Sequence, residues 1–130
     1  MVTKKNDNNL EKNKTLAHRF HMEIIGEFNL GLADEIIAPD CVFHSARPSD
    51  LRGPERAKNS ARFDQQHFDD KGVKFVHDIV LAEGDLVAFH WINTGNNRET
   101  GEAERFEGLD MVRIKDDKIA EVWIEYHKAA

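Results

Sequence analysis

The stretch Phe106-Glu-Gly-Leu-Asp-Met-Val-Arg-Ile114 alternates like a β-strand and carries an acid in its middle. Because side chains alternate across a strand, Asp110 shares a face with Val112 and Ile114. A carboxylate that points into an apolar interior costs several kcal/mol unless it is paired or neutralised. We therefore predict that Asp110 lies in an acid–base pocket, with a buried structural acid held by a hydrogen bond as the alternative.

The segments around this strand indicate the order of the elements. Helical periodicity comes first, in a helix of about 14 residues through Phe20, a short helix that Pro39 ends, and a third from Gly53 to about Asp70. Strand patterns follow, and they predict strands at Cys41–Ser45, Val73–Ala82, Leu86–Thr94, Ala103–Ile114 and Ile119–Tyr126. Helices followed by a run of antiparallel strands predict an α+β fold with the helices on one face of a bent sheet.

Length and composition limit the kind of protein. The 130 residues fit one domain, which we place at residues 14–130 after a flexible tail over residues 1–13. A net charge of −6 argues against nucleic acid as a partner, because phosphate binding needs a concentrated basic surface. No apolar run suggests a membrane span or signal peptide, so a cytoplasmic location is expected and membrane binding is not. The single cysteine, Cys41, excludes an intrachain disulfide.

Alternation assigns side chains to the two faces of the sheet. In the last strand Val122, Ile124 and Tyr126 share a face, and we predict that it is the pocket face. We place His44, His90 and Ile92 on that pocket face as well. The large aromatic residues Phe89, Trp91 and Trp123 are then predicted on the outer face, where a second copy of the chain would cover them in a homodimer.

Several short motifs in this order resemble a known family. They are Lys14-x-x-x-x-Arg-Phe20, the run Leu32-Ala-Asp-Glu-Ile-Ile-Ala-Pro-Asp-Cys-Val-Phe-His44, Arg52-Gly-Pro-Glu55, Val87-Ala-Phe-His-Trp91, Gly108-Leu-Asp-Met-Val-Arg113 and Asp117-Lys-Ile-Ala-Glu-Val-Trp123. The chain is similar to the SnoaL-like polyketide cyclases of the nuclear-transport-factor-2-like superfamily, which also contains the ketosteroid isomerases. The resemblance implies three N-terminal helices on the concave face of a cone-shaped, curved antiparallel sheet, with a ligand cavity and commonly a homodimer.

The resemblance also suggests roles for individual residues. Three positions match the ketosteroid isomerase site, where Phe20 stands in place of a tyrosine donor, His44 in place of a carboxylate base, and Asp110 is the retained acid. In the polyketide cyclases an acid at the Asp110 position acts as general acid–base in an intramolecular aldol closure. We therefore expect Asp110 to be the principal catalytic group and His44 its partner.

The expected function is a cofactor-free and metal-free aldol cyclase, isomerase or dehydratase acting on an apolar, carbonyl-containing small molecule in an enclosed cavity. A binding protein that holds such a ligand without turnover is the alternative. If His44, His90 and Asp110 converge, they would instead form a two-histidine, one-carboxylate metal site. His18 and His21 are interpreted as solvated residues of the first helix. The expected substrate contacts are His90, Tyr126, Phe20, Ile92, Val122 and Ile124.

Overall fold

The computed structural model describes residues 4–129, with side chains from residue 9 onward, and confirms the predicted α+β class. The elements in chain order are α1 (Lys4–Arg19), a π-helical segment (Phe20–Gly26), α2 (Leu30–Ile36), β1 (Ile37–Ser45), α3 (Gly53–His67), β2 (Lys74–Glu83), β3 (Leu86–Asn96), β4 (Ala103–Lys115) and β5 (Lys118–Lys128). Within the described residues, no helix combines the length and the apolarity that crossing a membrane requires.

The first helix begins earlier than its apolar stripe suggests. Helix α1 starts at Lys4, so most of the segment predicted as a flexible tail over residues 1–13 is helical. Glu11 and Lys14 form an ion pair of 3.2 Å one turn apart, and Lys12 lies 2.9 Å from Asp117 in the turn between β4 and β5. These polar contacts extend the helix where hydrophobic periodicity gives no signal. Residues 1–3 lie outside the described part of the chain.

The π-helical segment changes which side chains face the core. A π turn contains more residues than an α turn, so the buried stripe of α1 shifts around the helix axis after Phe20. His21 lies in this segment and is only 4% exposed, whereas the sequence pattern placed it in solvent. His18, one turn earlier, is exposed as predicted. Segments of this kind occur often at functional sites.

The five strands form one open, curved sheet in the order β1-β5-β4-β3-β2. Adjacent strands in the sheet run antiparallel, except that β1 pairs parallel with β5. The helices contribute Ala17, Phe20, Ile24, Ala57 and Ala61 to a core shared with the inner face of the sheet.

The strand register reverses the predicted faces of β3. Side chains of directly paired residues point to the same face. Phe89 pairs with Asp110 and Trp91 with Gly108, so Phe89 and Trp91 point inward, where they are 1% and 6% exposed. His90 and Ile92 therefore point outward. The prediction that Phe89 and Trp91 form the outer face is wrong.

The same reasoning corrects the position of His44. In β1, Phe43 pairs with the buried Val122, whereas His44 pairs with Trp123 and stacks on its ring on the outer face. The predicted placement of His44 in the pocket is therefore wrong. Trp123 does lie on the outer face, as predicted.

Candidate active site

Asp110 is the central residue of the inner face. It is 3% exposed, and its Oδ1 accepts a hydrogen bond of 2.8 Å from the indole Nε1 of Trp91. Burial raises the pKa of Asp110 from 3.8 to about 7, and the nearby carboxylate of Asp64 adds to the rise, while the bond from Trp91 opposes it. Among the described residues, Trp91 is the only side-chain donor to this carboxyl, so Oδ2 can still meet a ligand.

Gly108 makes the contact between Trp91 and Asp110 possible. A Cβ atom at position 108 would lie 2.2 Å from Cζ2 of Trp91, far inside contact distance. The indole thus lies flat over the backbone of β4 and directs its N–H toward the carboxyl two residues along. The ring of His21 also packs against Trp91, with 5.3 Å between the ring centroids.

His21 is a neutral packing partner for the indole. Its pKa is lowered well below 6.5 by burial and by the neighbouring His77 and His18. Its Nδ1 lies 2.6 Å from Nε2 of His77, so one ring donates a hydrogen bond and the other accepts it. Burial also lowers the pKa of His77, to about 4. Both rings are therefore uncharged near neutral pH.

A second polar wall comes from helix α3. Arg56, Ser60 and Asp64 are spaced four residues apart, which places them on one side of the helix. Arg56 is only 2% exposed and donates from Nη1 to Oγ of Ser60. Arg47 reaches the same oxygen from the loop before α3, with 3.3 Å between Nη2 and Oγ. Burial raises the pKa of Asp64 to about 6, although the charges of Arg47 and His67 act against the rise.

These groups surround a cavity of about 170 Å³. That volume is comparable to an engineered cavity of about 150 Å³ that accepts benzene, so the enclosed part suits one or two rings. Phe63 and Tyr126, each more than two-fifths exposed, lie at its mouth. Aromatic side chains supply much of the wall, which is lined by Phe20, His21, Ile25, Ser45, Arg47, Arg56, Ser60, Phe63, Asp64, His67, Phe68, Trp91, Asn93, Phe106, Asp110, Ile124 and Tyr126.

Half of the residues predicted from the sequence lie at this cavity. Asp110, Phe20, Ile124 and Tyr126 line it, and Val122 is fully buried in the core beside it without lining it. The remaining residues, His44, His90 and Ile92, do not line the cavity because they point to the outer face.

On the outer face the two histidines have carboxylate partners of their own. His44 Nε2 lies 2.7 Å from Glu121 Oε2, and His90 Nδ1 lies 2.6 Å from Asp78 Oδ1. Neither histidine can exchange a proton with Asp110 through the sheet. The two-histidine, one-carboxylate metal set therefore does not converge, and residues 4–129 contain no other cluster of three or more suitable ligands.

The sequence patterns missed the polar wall of α3. The apolar stripe of this helix, formed by Ala57, Ala61 and Phe68, looked thin for a helix on a core. A thin stripe of small residues beside Arg56 and Ser60 is the signal of a helix that faces a cavity rather than a packed core. Asn93 was missed as well. It lies on the same face of β3 as Phe89 and Trp91, which the sequence pattern assigned to the outside.

The comparisons with known proteins agree with this architecture. The family model of the SnoaL-like polyketide cyclases matches residues 15–130. A candidate polyketide cyclase from Acidithiobacillus ferrooxidans is 22% identical with a TM-score of 0.76, over 88% of this chain and 87% of that chain. IdmH from Streptomyces antibioticus, another candidate polyketide cyclase, is 25% identical with a TM-score of 0.71, over 88% and 91% of the two chains.

The same fold occurs in proteins with other activities. An LEH-like epoxide hydrolase from M. tuberculosis is 14% identical with a TM-score of 0.71, over 92% of this chain and 85% of that chain. No curated protein matches the chain. The family model covers nearly the whole sequence, and the open sheet carries an acid at the position where the family resemblance expects one. The chain belongs to the SnoaL-like polyketide cyclase family.

Proposed function

We propose that this chain is a small-molecule acid–base enzyme of the cyclase or isomerase type, acting on an apolar, carbonyl-containing substrate. The observation that carries the proposal is the position of Asp110, a carboxyl only 3% exposed in the cavity wall, where burial raises its pKa to about 7. A general acid–base is most efficient when its pKa lies near the working pH. The raised pKa makes the ionised carboxylate a stronger base toward a carbon-bound proton than an ordinary aspartate would be.

The proposed reaction begins when ionised Asp110 removes a proton from the carbon next to the substrate carbonyl. The electron pair of the broken C–H bond forms an enolate, and Asp110 becomes neutral. In a cyclase the enolate carbon attacks a second carbonyl of the same molecule, forming a C–C bond and an alkoxide. Asp110 then returns its proton to the alkoxide, so the enzyme is restored without a co-reactant. Return of the proton to another carbon would be an isomerisation, and loss of water a dehydration.

Other cavity residues would orient the substrate. The bond from Trp91 engages Oδ1 of Asp110, and Oδ2 has no side-chain donor among the described residues, so Oδ2 would act on the substrate. Phe20 and Ile124 supply apolar contact, and Tyr126 at the mouth can donate a hydrogen bond to a substrate oxygen. His44 and His90, on the outer face, have no part in the proposed reaction.

A binding protein without turnover is the second candidate. It is favoured by the missing proton partner, because the histidine expected beside Asp110 is on the other face of the sheet. In that case the bond from Trp91 would simply satisfy a buried acid. The two candidates differ in whether bound ligand exchanges its α-protons.

The test uses 2-indanone, a two-ring ketone, in D2O. NMR would follow deuterium incorporation next to the carbonyl for the wild type, Asp110→Asn and Asp78→Asn, the last being a matched change on the outer face. We expect exchange above the buffer rate for the wild type and Asp78→Asn, and a loss of about 100-fold or more in Asp110→Asn. Binding of 2-indanone without exchange would support the binding protein, and full exchange by Asp110→Asn would refute the role of Asp110.

We also propose a homodimer through the outer face. In the register of the sheet Leu81, Ala88, Met111 and Trp123 form one row across it, and the exposed Ile79 and Leu109 lie in the next. An apolar patch of this kind on a soluble protein indicates an interaction surface. Light scattering should give a dimer mass for the wild type and a monomer mass for Leu109→Glu. A monomeric wild type would refute this proposal.

A further inference from the structure

Two arginines in the cavity wall converge on one hydroxyl group. Arg56 and Arg47 both donate to Oγ of Ser60, from the helix and from the loop that precedes it. All three residues line the cavity. Two positive charges are thus held together at one end of a space that is otherwise largely aromatic.

No acidic side chain in the described part of the chain pairs with Arg56. Among the described residues, no carboxylate oxygen lies within 4.0 Å of the guanidinium of Arg56 or of Arg47, although fourteen other pairs of a basic and an acidic residue do meet that distance. Burial and the charge of Arg47 both lower the pKa of Arg56. A buried cation next to a like charge is unfavourable unless something neutralises it.

The neighbouring groups compensate this charge only in part. Asp64 is close enough to Arg47 for its own pKa to be affected, so it offsets that arginine. The ring of Phe43 lies 5.4 Å from Cζ of Arg56, which provides a cation–π contact but no negative charge. Arg56 therefore remains the uncompensated group.

An independent sign of a missing ligand comes from Asn93. Its Oδ1 is buried and accepts no hydrogen bond from the described residues, and Asn93 lines the same cavity. Buried acceptors in folded proteins are almost always satisfied. Turning the Asn93 side chain toward the cavity would let this oxygen accept a hydrogen bond from a hydroxyl or enol group on a bound molecule.

We propose that Arg56 and Arg47, positioned by Ser60, form a subsite for a carboxylate group of the ligand. A planar guanidinium matches a carboxylate with two parallel hydrogen bonds, and the buried position of Arg56 strengthens them. Arg47, Arg56 and Asp110 line the same cavity, so the subsite and the acid–base group border one space. The ligand is then an aromatic or alicyclic acid with a hydroxyl or enol group.

This inference names the substrate class of the proposed enzyme, and only that assignment rests on the proposed function. The substrate would be a carbonyl compound that carries a carboxylate, held at α3 while its α-carbon faces Asp110 on β4. Anion binding itself requires no turnover. A binding experiment can therefore succeed or fail independently of catalysis.

The experiment compares 2-naphthoate with 2-naphthamide, two probes of the same shape that differ in charge. Calorimetry at pH 7.5 would give the Kd of each for the wild type, Arg56→Met, Arg56→Lys and Arg62→Met. Arg62 is exposed on the same helix and does not line the cavity, so it is the matched control.

We expect the wild type to bind the carboxylate at least about tenfold more tightly than the amide, since charged hydrogen bonds are the stronger ones. Arg56→Met should reduce this preference to within twofold, Arg56→Lys should restore part of it, and Arg62→Met should leave it unchanged. Equal binding of the two probes by the wild type would overturn the subsite, a result that does not depend on any variant folding. A preference retained in folded Arg56→Met, or lost in Arg62→Met, would also overturn it.

Discussion

The two faces of the sheet carry similar chemical groups in opposite environments. On the inner face, Asp110 pairs with Trp91 at a buried cavity wall, and burial raises its pKa to about 7. On the outer face, Asp78 pairs with His90 in solvent, and the hydrogen bond from His90 lowers the pKa of Asp78. A carboxyl and an aromatic donor are thus not a site in themselves. What makes Asp110 a candidate catalyst is enclosure, which turns an ordinary acid into one that holds a proton near neutral pH.

The largest expected difference between the faces is in pH-dependent stability. Between pH 4 and pH 7 the unfolded chain has lost the proton of Asp110 while the native protein still holds it. The native state then binds more protons, so the contribution of this group to the free energy of unfolding falls as the pH rises through that window. Asp110→Asn removes this loss and should be more stable than the wild type by up to about 4 kcal/mol at pH 8, with little gain at pH 4.

Urea unfolding at the two pH values measures this effect. Subtracting the free energy of unfolding of the wild type from that of the variant at each pH cancels the contributions of His21 and His77. Asp78→Asn is the outer-face control and should give no gain at pH 8, because the pKa of Asp78 is shifted downward. If Asp110→Asn is less stable than the wild type at pH 8, Asp110 is a structural acid and the comparison fails.

The next effect concerns the support of the inner face. Gly108→Ala should push Trp91 off the strand, since the added Cβ overlaps the indole ring. We expect a loss of about 1–3 kcal/mol in the free energy of unfolding, typical of overpacking, together with a changed tryptophan fluorescence spectrum. Gly31→Ala on α2 is the matched control, because the nearest atom to a Cβ there is Oδ1 of Asn29 at 3.9 Å. Equal stability of the two alanine variants would show that Gly108 is not needed for this packing.

The smallest effect is expected on the outer face itself. His44→Gln removes the imidazole that contacts Glu121 at 2.7 Å, and the side chains of His44 and Glu121 are 46% and 32% exposed. Pairs in solvent contribute about 0–1 kcal/mol, so the stability should change by less than about 1 kcal/mol. Exchange of 2-indanone should be unchanged, because His44 is on the far side of the sheet. A large loss of exchange in this variant would return His44 to the site and contradict the observed register.

The sequence was sufficient for the fold because its periodicities are strong. The strand positions follow from alternation bounded by polar turns, and the inward position of Asp110 follows from Val112 and Ile114 on the same face. Those signals are local, and each is readable within one segment.

The inward faces of β1 and β3 were harder to predict, because in each strand both alternating sets of side chains include apolar residues. In β3, Val87, Phe89 and Trp91 alternate with Ala88 and Ile92, so periodicity alone does not choose. The register with β4 decides it, and this register depends on where the long hairpin begins to pair. Once Asp110 is taken as inward, its partner Phe89 must be inward too. The polar wall of α3 was missed for a related reason, since charged residues on a helix normally indicate solvent and not a cavity.

The acid–base role of Asp110 depends above all on its pKa, which can be measured. Carbon-13 NMR of aspartate carboxyl groups can be followed from pH 3 to pH 9 in the wild type, and the Asp110 signal assigned by its absence in Asp110→Asn. We expect a midpoint near 7 for that signal, far above the 3.8 of a solvated aspartate. A midpoint near 4 would show that Asp110 is ionised and solvated in the native protein, and would contradict the proposed acid–base role.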